Sequence, residues 1–343
     1  MSKTIYYLGA GASYGSRDNK GRILEGLPVV SEIPTQFDEF RKFIENTEIQ
    51  DNVTYTLWGH LAAIGKDLKS EKQYLLEAIV SLQAKIKEHA TIDTFARKLY
   101  LIGDEQTFIK LKTVLCVFFL WEQLIHKPDN RYDTFLANVL EAKTLALPKE
   151  ISIISWNYDS QIEIAYCSYR RNPGLSIFEK NIEGDWPNLP SCGRIFKVNG
   201  SATFMDRSVI PFIMEEKELL LALQLIRYFS FSLSDTSSLG FHMSTHLSFA
   251  WEDSINQKNM MDSIGATVED TQEVVVIGYS FPYFNREIDR HIFKMMPHLN
   301  KVYIQDINPS AVIQSIEAVL PIGANIRPIP IVDCTQFYLP AEL

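Results

Sequence analysis

Five short apolar runs, each closing on glycine, asparagine or tyrosine beside a glycine, constrain this chain more than any other feature. They are TIYYLG (4–9), ISIISWN (151–157), RIFKVNG (194–200), EVVVIGY (273–279) and KVYIQDIN (301–308), and NIRPIPIV (325–332) is a sixth candidate. Apolar runs without polar alternation mark strands covered on both faces, as in a parallel sheet. Their polar or glycine ends fall where open α/β sheets place ligands. The pattern predicts an α/β fold, a Rossmann-like parallel sheet of about six strands with helices on both faces.

Between the first and second runs lies a long stretch with helical spacing. Leu75, Ile79, Leu82 and Ile86 fall on one helix face. Further helices are expected over 92–101 and 105–126, where Phe118, Phe119 and Trp121 suit a helical core. The stretch is too long for a simple crossover, so residues 35–145 read as a helical insertion. Residues 1–34 and 146–343 then form the Rossmann domain. Another helix is expected over 214–233, and the segment 234–247 reads as a mobile loop.

The 343 residues are 46% hydrophobic and 22% charged, enough to bury a core without metal or disulfide. A formal charge of -9 argues against direct nucleic-acid binding and against anionic membranes. Arg170-Arg171 is an isolated basic pair. Cys116, Cys167, Cys192 and Cys334 are scattered with no CxxC, which argues against a zinc module and suits a reducing cytoplasm. The apolar stretch from Val114 to Trp121 is far short of the ~20 residues of a membrane span. A soluble, cytoplasmic protein is expected.

The strand ends carry the candidate chemistry. In GAGAS, Gly9 and Gly11 allow close backbone approach to a pyrophosphate, with Ala10 and Ala12 between them, and Ser13 can donate to phosphate. A ligand-free glycine turn is the alternative. In SWNYD, the Asn157 amide can hold a ribose hydroxyl or a water, with Asp159 nearby; a helix N-cap is the alternative. KVNGS places Asn199, Gly200 and Ser201 at a third strand end. VVVIGYSFP places Gly278, Tyr279 and Ser280 at a fourth, and DINPS places Asp306 and Asn308 at a fifth. Asp93 with Asp104, and Glu215 with Glu216, read as solvated helix faces rather than metal ligands. There is no G-x-x-x-x-G-K-[ST] and no G-x-S-x-G.

In this order the set resembles the sirtuin-like NAD-binding family, in particular its bacterial branch that hydrolyses NAD in antiphage defence. GAGAS is similar to that family's phosphate loop, and Gly26-Leu27-Pro28 to the GLP that follows it. SWNYD resembles T-x-N-Y/I-D, KVNGS resembles K-L-H-G-S, and VVVIGYSFP resembles I-G-Y-S-L-P. DINPS is similar to the segment that contacts the adenosine half. Thr91-Ile92-Asp93-Thr94-Phe95, Ile210-Pro211 and Trp251-Glu252 also look like that branch. The likeness covers residues 1–34 and about 150–320.

The resemblance implies an NAD⁺ glycohydrolase that releases nicotinamide and ADP-ribose, with NAD as substrate or ligand and no metal. Gly9 to Ser13, Leu27, Pro28, Asn157, Gly200, Ser201, Gly278 to Ser280, Asp306 and Asn308 would bind the cofactor. Asn157, Asp159 and Asn199 would be catalytic. It also implies a homo-oligomer, or pairing with an ATPase or another defence protein. Two departures stand out. The zinc-ribbon cysteines of sirtuin deacylases are absent, which counts against deacylation, and the family's catalytic histidine falls on Asn199. An asparagine hydrogen-bonds but removes no proton, so an impaired NAD or ADP-ribose sensor or scaffold is the alternative function. His242 and His246, in the expected loop, are candidate replacements for the missing base, against an ordinary surface or structural role. His60, His89, His126, His291 and His298 are given no role.

Overall fold

The structure, a computed structural model, describes residues 3–55, 63–89, 91–169, 192–204, 218–233, 245–252, 255–321, 323 and 326–341. Strand β1 (Thr4–Leu8) leads into a 3₁₀ turn and the hairpin of β2 (Ser16–Arg17) and β3 (Ile23–Glu25). Helix α1 (Ile33–Asn46), the short pair β4 (Thr54–Tyr55) and β5 (Ala63–Ile64), and helices α2 (Gly65–Lys87), α3 (Ile92–Ile102), α4 (Glu105–Ile125) and α5 (Asn130–Val139) follow. Next come β6 (Ile151–Ser155), α6 (Gln161–Cys167), β7 (Ile195–Lys197), β8 (Gly200–Phe204), α7 (Glu218–Leu233) and β9 (Thr245–Leu247). The chain closes with α8 (Ile255–Val268), β10 (Glu273–Ile277), α9 (Arg286–Lys294), β11 (Lys301–Gln305), α10 (Pro309–Ile316) and β12 (Ile329–Ile331).

Each of the six apolar runs contains one strand of a single parallel sheet, in the order β12-β11-β10-β1-β6-β7. Counted along the chain, that is the doubly wound order, reversing between β1 and β10. Leu8 lies opposite Ile277 on one side and Ser155 on the other, so three strands end level at the reversal.

The pleat explains why the strands read as unbroken apolar runs: alternate residues feed two separate cores. Ile5, Tyr7, Val274, Val276, Val302 and Ile304 face α8, α9 and α10, with Phe293 and Ile316 packed against them. Tyr6, Leu8, Ile153, Val275 and Ile277 face α5 and α6, where Phe135, Leu136 and Ile162 close the other side. Helices therefore cover both faces, as the sequence predicts.

A third core lies among the helices of the insertion. Helix α4 is apolar around nearly its whole circumference between Val114 and Trp121, the pattern of a helix surrounded on all sides. It packs against α1, α2, α3 and α7, and Phe37 stacks on Phe118 with ring centroids 4.2 Å apart. Burying a side chain of this size is worth ~1.5–3 kcal/mol relative to exposure. Asp104 caps α4, its Oδ1 accepting from Thr107 N–H at 3.1 Å. Helix α7 joins this core from beyond the insertion, while α5, from within 35–145, packs on the sheet. No described helix is long and apolar enough to cross a membrane.

The expected mobile loop over 234–247 needs correction at its end. Thr245–Leu247 is strand β9, antiparallel to β8. A strand of three residues, with Leu247 alone apolar, has no signal of its own; it forms because β8 supplies the partner edge. Residues 234–244 lie outside the described residues.

Candidate active site

The strand order reverses where the Gly9-Ala10-Gly11 loop meets Gly278. Gly9 N–H donates to Ile277 O and Gly11 N–H donates to Gly278 O, both at 3.0 Å. A Cβ on Gly9 would lie 2.6 Å from the Gly278 oxygen, and one on Gly11 2.7 Å from the Gly278 Cα. Gly278 itself has φ +58°, a conformation that favours glycine. The glycines are required first by each other: only bare backbones approach this closely.

Above this contact is a cavity of about 340 Å³ at the carboxyl ends of β1, β6 and β10. Such a volume lies within the ~300–1,000 Å³ of small-molecule sites. Gly9, Ala10 and Ser13 form one edge, Gly278, Tyr279 and Ser280 another, and Asn157, Asp159 and Asn199 line the interior. Leu27 and Pro28 also face it. Sequence reasoning singled out all of these, and the sheet brings them together.

Asn157 stands at the centre. Its Nδ2 donates to the Gly9 carbonyl at 3.0 Å and to Ser13 Oγ at 3.1 Å, tying β6 to the β1 loop. Ser13 Oγ in turn pairs with Tyr132 Oη of α5 at 2.9 Å. These bonds fix the amide's orientation, and its Oδ1 has no hydrogen bond within the described residues. Asp159 accepts from Gln161 N–H at 3.0 Å, ahead of α6, and its carbonyl accepts from the buried Lys197 ammonium.

Asn199 is committed differently. Its Nδ2 donates to Trp156 O at 2.9 Å and its Oδ1 accepts from Ala250 N–H at 3.0 Å. Both ends of the amide therefore splice the β6 loop to the segment after β9.

The Leu27-Pro28 edge is held by Arg17. Its guanidinium forks onto Glu32 at 2.9 and 2.7 Å, and also donates to the carbonyls of Tyr14 at 2.6 Å and Leu27 at 2.9 Å. Leu27 N–H reaches back to Ser13 O at 2.6 Å. The Gly26–Pro28 segment and the Gly9–Ser13 loop are thus one unit.

The far wall comes from the helical insertion, and sequence reasoning missed it. Thr91, Asp93 and Phe119 line the cavity beside Tyr158 and Phe249. Thr91 caps α3, accepting from Thr94 N–H at 3.1 Å, which sets Asp93 in the first turn. Asp93 Oδ1 accepts from Tyr158 Oη at 3.4 Å, and burial pushes this carboxyl above its ordinary range. The sequence assigned Asp93 to a solvated helix face; it faces the cavity instead. The ring of Tyr158 lies 5.7 Å from that of Phe119 and 6.2 Å from that of Phe249. Phe249 stacks on Trp251 at 4.9 Å, and Lys112 of α4 clamps the adjacent Glu252 at 3.0 Å. Two further residues, Trp156 and Tyr279, stack 5.3 Å apart under the glycine edge, while Pro282 and Asn285 complete the rim.

Beneath Tyr279 lies a buried carboxylate. Asp289 of α9 accepts hydrogen bonds from Tyr7 and from Tyr279, the latter at 3.1 Å. Burial is the main cause that raises its pKa to about 7.

The remaining sequence candidates stand off the cavity. Gly11 and Ala12 lie behind the loop, against Gly278. Gly200 backs onto His246 O in the β8–β9 pair, and Ser201 bonds Thr203 at 3.0 Å. Asp306 and Asn308 end the neighbouring strand, Asp306 Oδ1 accepting from Asn308 N–H at 2.8 Å. His246 sits in β9 rather than on a free loop. Arg170-Arg171, Ile210-Pro211, Glu215, Glu216, His60 and His242 lie outside the described residues.

No protein-family model matches this chain, and no curated protein matches it.

Proposed function

We propose that this protein hydrolyses the bond between nicotinamide and ribose in NAD⁺, releasing nicotinamide and ADP-ribose. The observation that carries the reading is Asn157. It lies in a cavity shared by the three strand ends at the sheet's reversal, its amide pinned by Gly9 and Ser13 with the oxygen unbonded among the described residues. Resemblance to the sirtuin-like family suggests the substrate, and a cavity of small-molecule size at the sheet's reversal supports the reading.

Cleavage passes through an oxocarbenium-like state at the anomeric carbon. The leaving pyridinium is already cationic and departs without a proton. The protein must orient the ribose, exclude competing geometries and stabilise developing positive charge. In this reading Asn157 Oδ1 accepts from a ribose hydroxyl or the attacking water, and the Gly9–Ser13 and Gly278–Ser280 edges take the pyrophosphate. Among the described residues no lysine, arginine or histidine lines the cavity, so backbone N–H groups of these edges outside the Gly9, Gly11 and Gly278 interlock would do the anion binding. We extend to this chain the antiphage role, bacterial cytoplasmic setting, oligomeric state and ATPase or other protein partner of the resembling branch. Incubating the purified protein with NAD⁺ and following nicotinamide by chromatography tests the activity. No release above buffer counts against it.

One observation favours the second reading, a sensor that holds NAD or ADP-ribose without turnover. Both polar atoms of Asn199 are bound to backbone, so the residue at the family's histidine position supplies architecture rather than proton transfer. Tight ADP-ribose binding with no NAD consumption would select this reading.

A further inference from the structure

The cavity contains two carboxylates, and they are not equivalent. Asp159 is tied into the start of α6 through Gln161 N–H at 3.0 Å. Asp93 reaches in from the opposite wall, on the helical insertion, and its one hydrogen bond among the described residues is the long 3.4 Å contact from Tyr158. Its other oxygen has no partner among the described residues. The surrounding rings of Phe119, Tyr158 and Phe249 make this the aromatic end of the cavity, away from the glycine edge.

We propose that Asp93 is the general base of the hydrolysis, doing from the insertion what Asn199 cannot do from the sheet. This rests on the NAD-hydrolase reading. The water oxygen forms a bond to the anomeric carbon. The bond from that carbon to the pyridinium nitrogen breaks, its electron pair passing to the ring, which leaves as neutral nicotinamide. The water proton goes to the Asp93 carboxylate and then to solvent. Burial raises this carboxyl above its ordinary range, which makes it a stronger base than an exposed aspartate. The groups facing it leave it free for that role. Tyr158 is a buried phenol that stays protonated, Arg97 one turn along α3 lies over the Trp251 ring at 4.9 Å, and Lys112 pairs with Glu252.

The test is Asp93→Asn and Asp93→Glu beside the wild type, each checked for folding by thermal melting. Nicotinamide release is measured across pH, and ADP-ribose binding by calorimetry. Asp93→Asn is expected to lower kcat by about 10²-fold or more and to remove the rise of rate with pH. ADP-ribose affinity should stay within about threefold. Asp93→Glu should recover part of the rate. Wild-type turnover in Asp93→Asn, or joint loss of binding and turnover with the fold intact, overturns the proposal. Should Asp93→Asn fail to fold, an unshifted pH profile in Asp93→Glu overturns it and a shifted one supports it. A wild type that binds ADP-ribose but releases no nicotinamide brings down the hydrolase reading, and the proposal with it; that pattern differs from all the others.

Discussion

Asn157 and Gly9 are joined across the reversal of the sheet: the asparagine Nδ2 donates to the glycine carbonyl at 3.0 Å. The same nitrogen reaches Ser13 Oγ at 3.1 Å. One amide thus aligns the loop after β1 with the loop after β6 and aims its own oxygen at the cavity. Asn157→Asp replaces the donor by an oxygen facing the Gly9 carbonyl. It should abolish nicotinamide release and lower stability by ~1–3 kcal/mol, read as a shifted urea midpoint. Retained turnover in a folded Asn157→Asp protein would remove the residue from the chemistry.

The interlock of Gly11 with Gly278 predicts a sharp contrast between glycines. A Cβ at Gly278 would overlap the Gly11 backbone, and its φ of +58° is unfavourable to any other side chain. At Gly21, φ is also positive, at +77°, but a Cβ would meet nothing within 4 Å. Gly21→Ala should therefore cost only ~1 kcal/mol of backbone strain. Gly278→Ala should cost several times more and disturb ligand binding as well. Chemical denaturation of both variants makes the comparison.

Arg17 predicts a link between the GLP loop and affinity. Its planar fork satisfies Glu32 at 2.9 and 2.7 Å while also holding carbonyls of the loop. Lysine supplies a point charge without that fork. Arg17→Lys should weaken ADP-ribose binding by about tenfold or more, with stability lowered by ~1–3 kcal/mol. Calorimetry with ADP-ribose checks the affinity. An unaltered dissociation constant would mean that Leu27 and Pro28 play no part in binding.

Asp289 predicts a pH dependence with a definite sign. Its folded pKa is raised, from 3.8 to about 7, so between these values the native state holds a proton that the unfolded chain has released. Stability is then fully present below about pH 4 and declines until about pH 7, where the buried carboxyl ionises. The contribution is up to ~1.4 kcal/mol per pH unit in that window. Asp289→Asn should flatten the curve by about one proton's worth. Urea midpoints of the two proteins at pH 4.5, 5.5 and 6.5 (on the order of one unit apart) provide the measurement, and parallel curves would contradict the assignment.

The sheet was legible because each strand is five residues or fewer, mostly apolar and without polar alternation, in a run closed by polar or glycine residues, and burial on both faces leaves that trace directly. Strand-end candidates such as Gly9, Asn157 and Gly278 were legible for the same reason, since an open α/β sheet gathers its carboxyl ends on one rim. The helical wall was not. Whether Asp93 faces solvent or the cavity depends on how the start of α3 meets the segment around Tyr158, a contact 65 residues distant in sequence. Strand β9 and the dual anchoring of Asn199 were hidden likewise, because their partners lie on β8 and at Ala250.

The central claim is that the cavity at the sheet's reversal holds an adenine dinucleotide. Calorimetric titration of ADP-ribose into the wild-type protein and into Asn157→Asp tests it most directly. The account predicts saturable binding at one site per chain, competed by NAD⁺ and weakened by about tenfold or more in the variant. Absence of any heat or competition at millimolar ligand, or equal binding by both proteins, would contradict it.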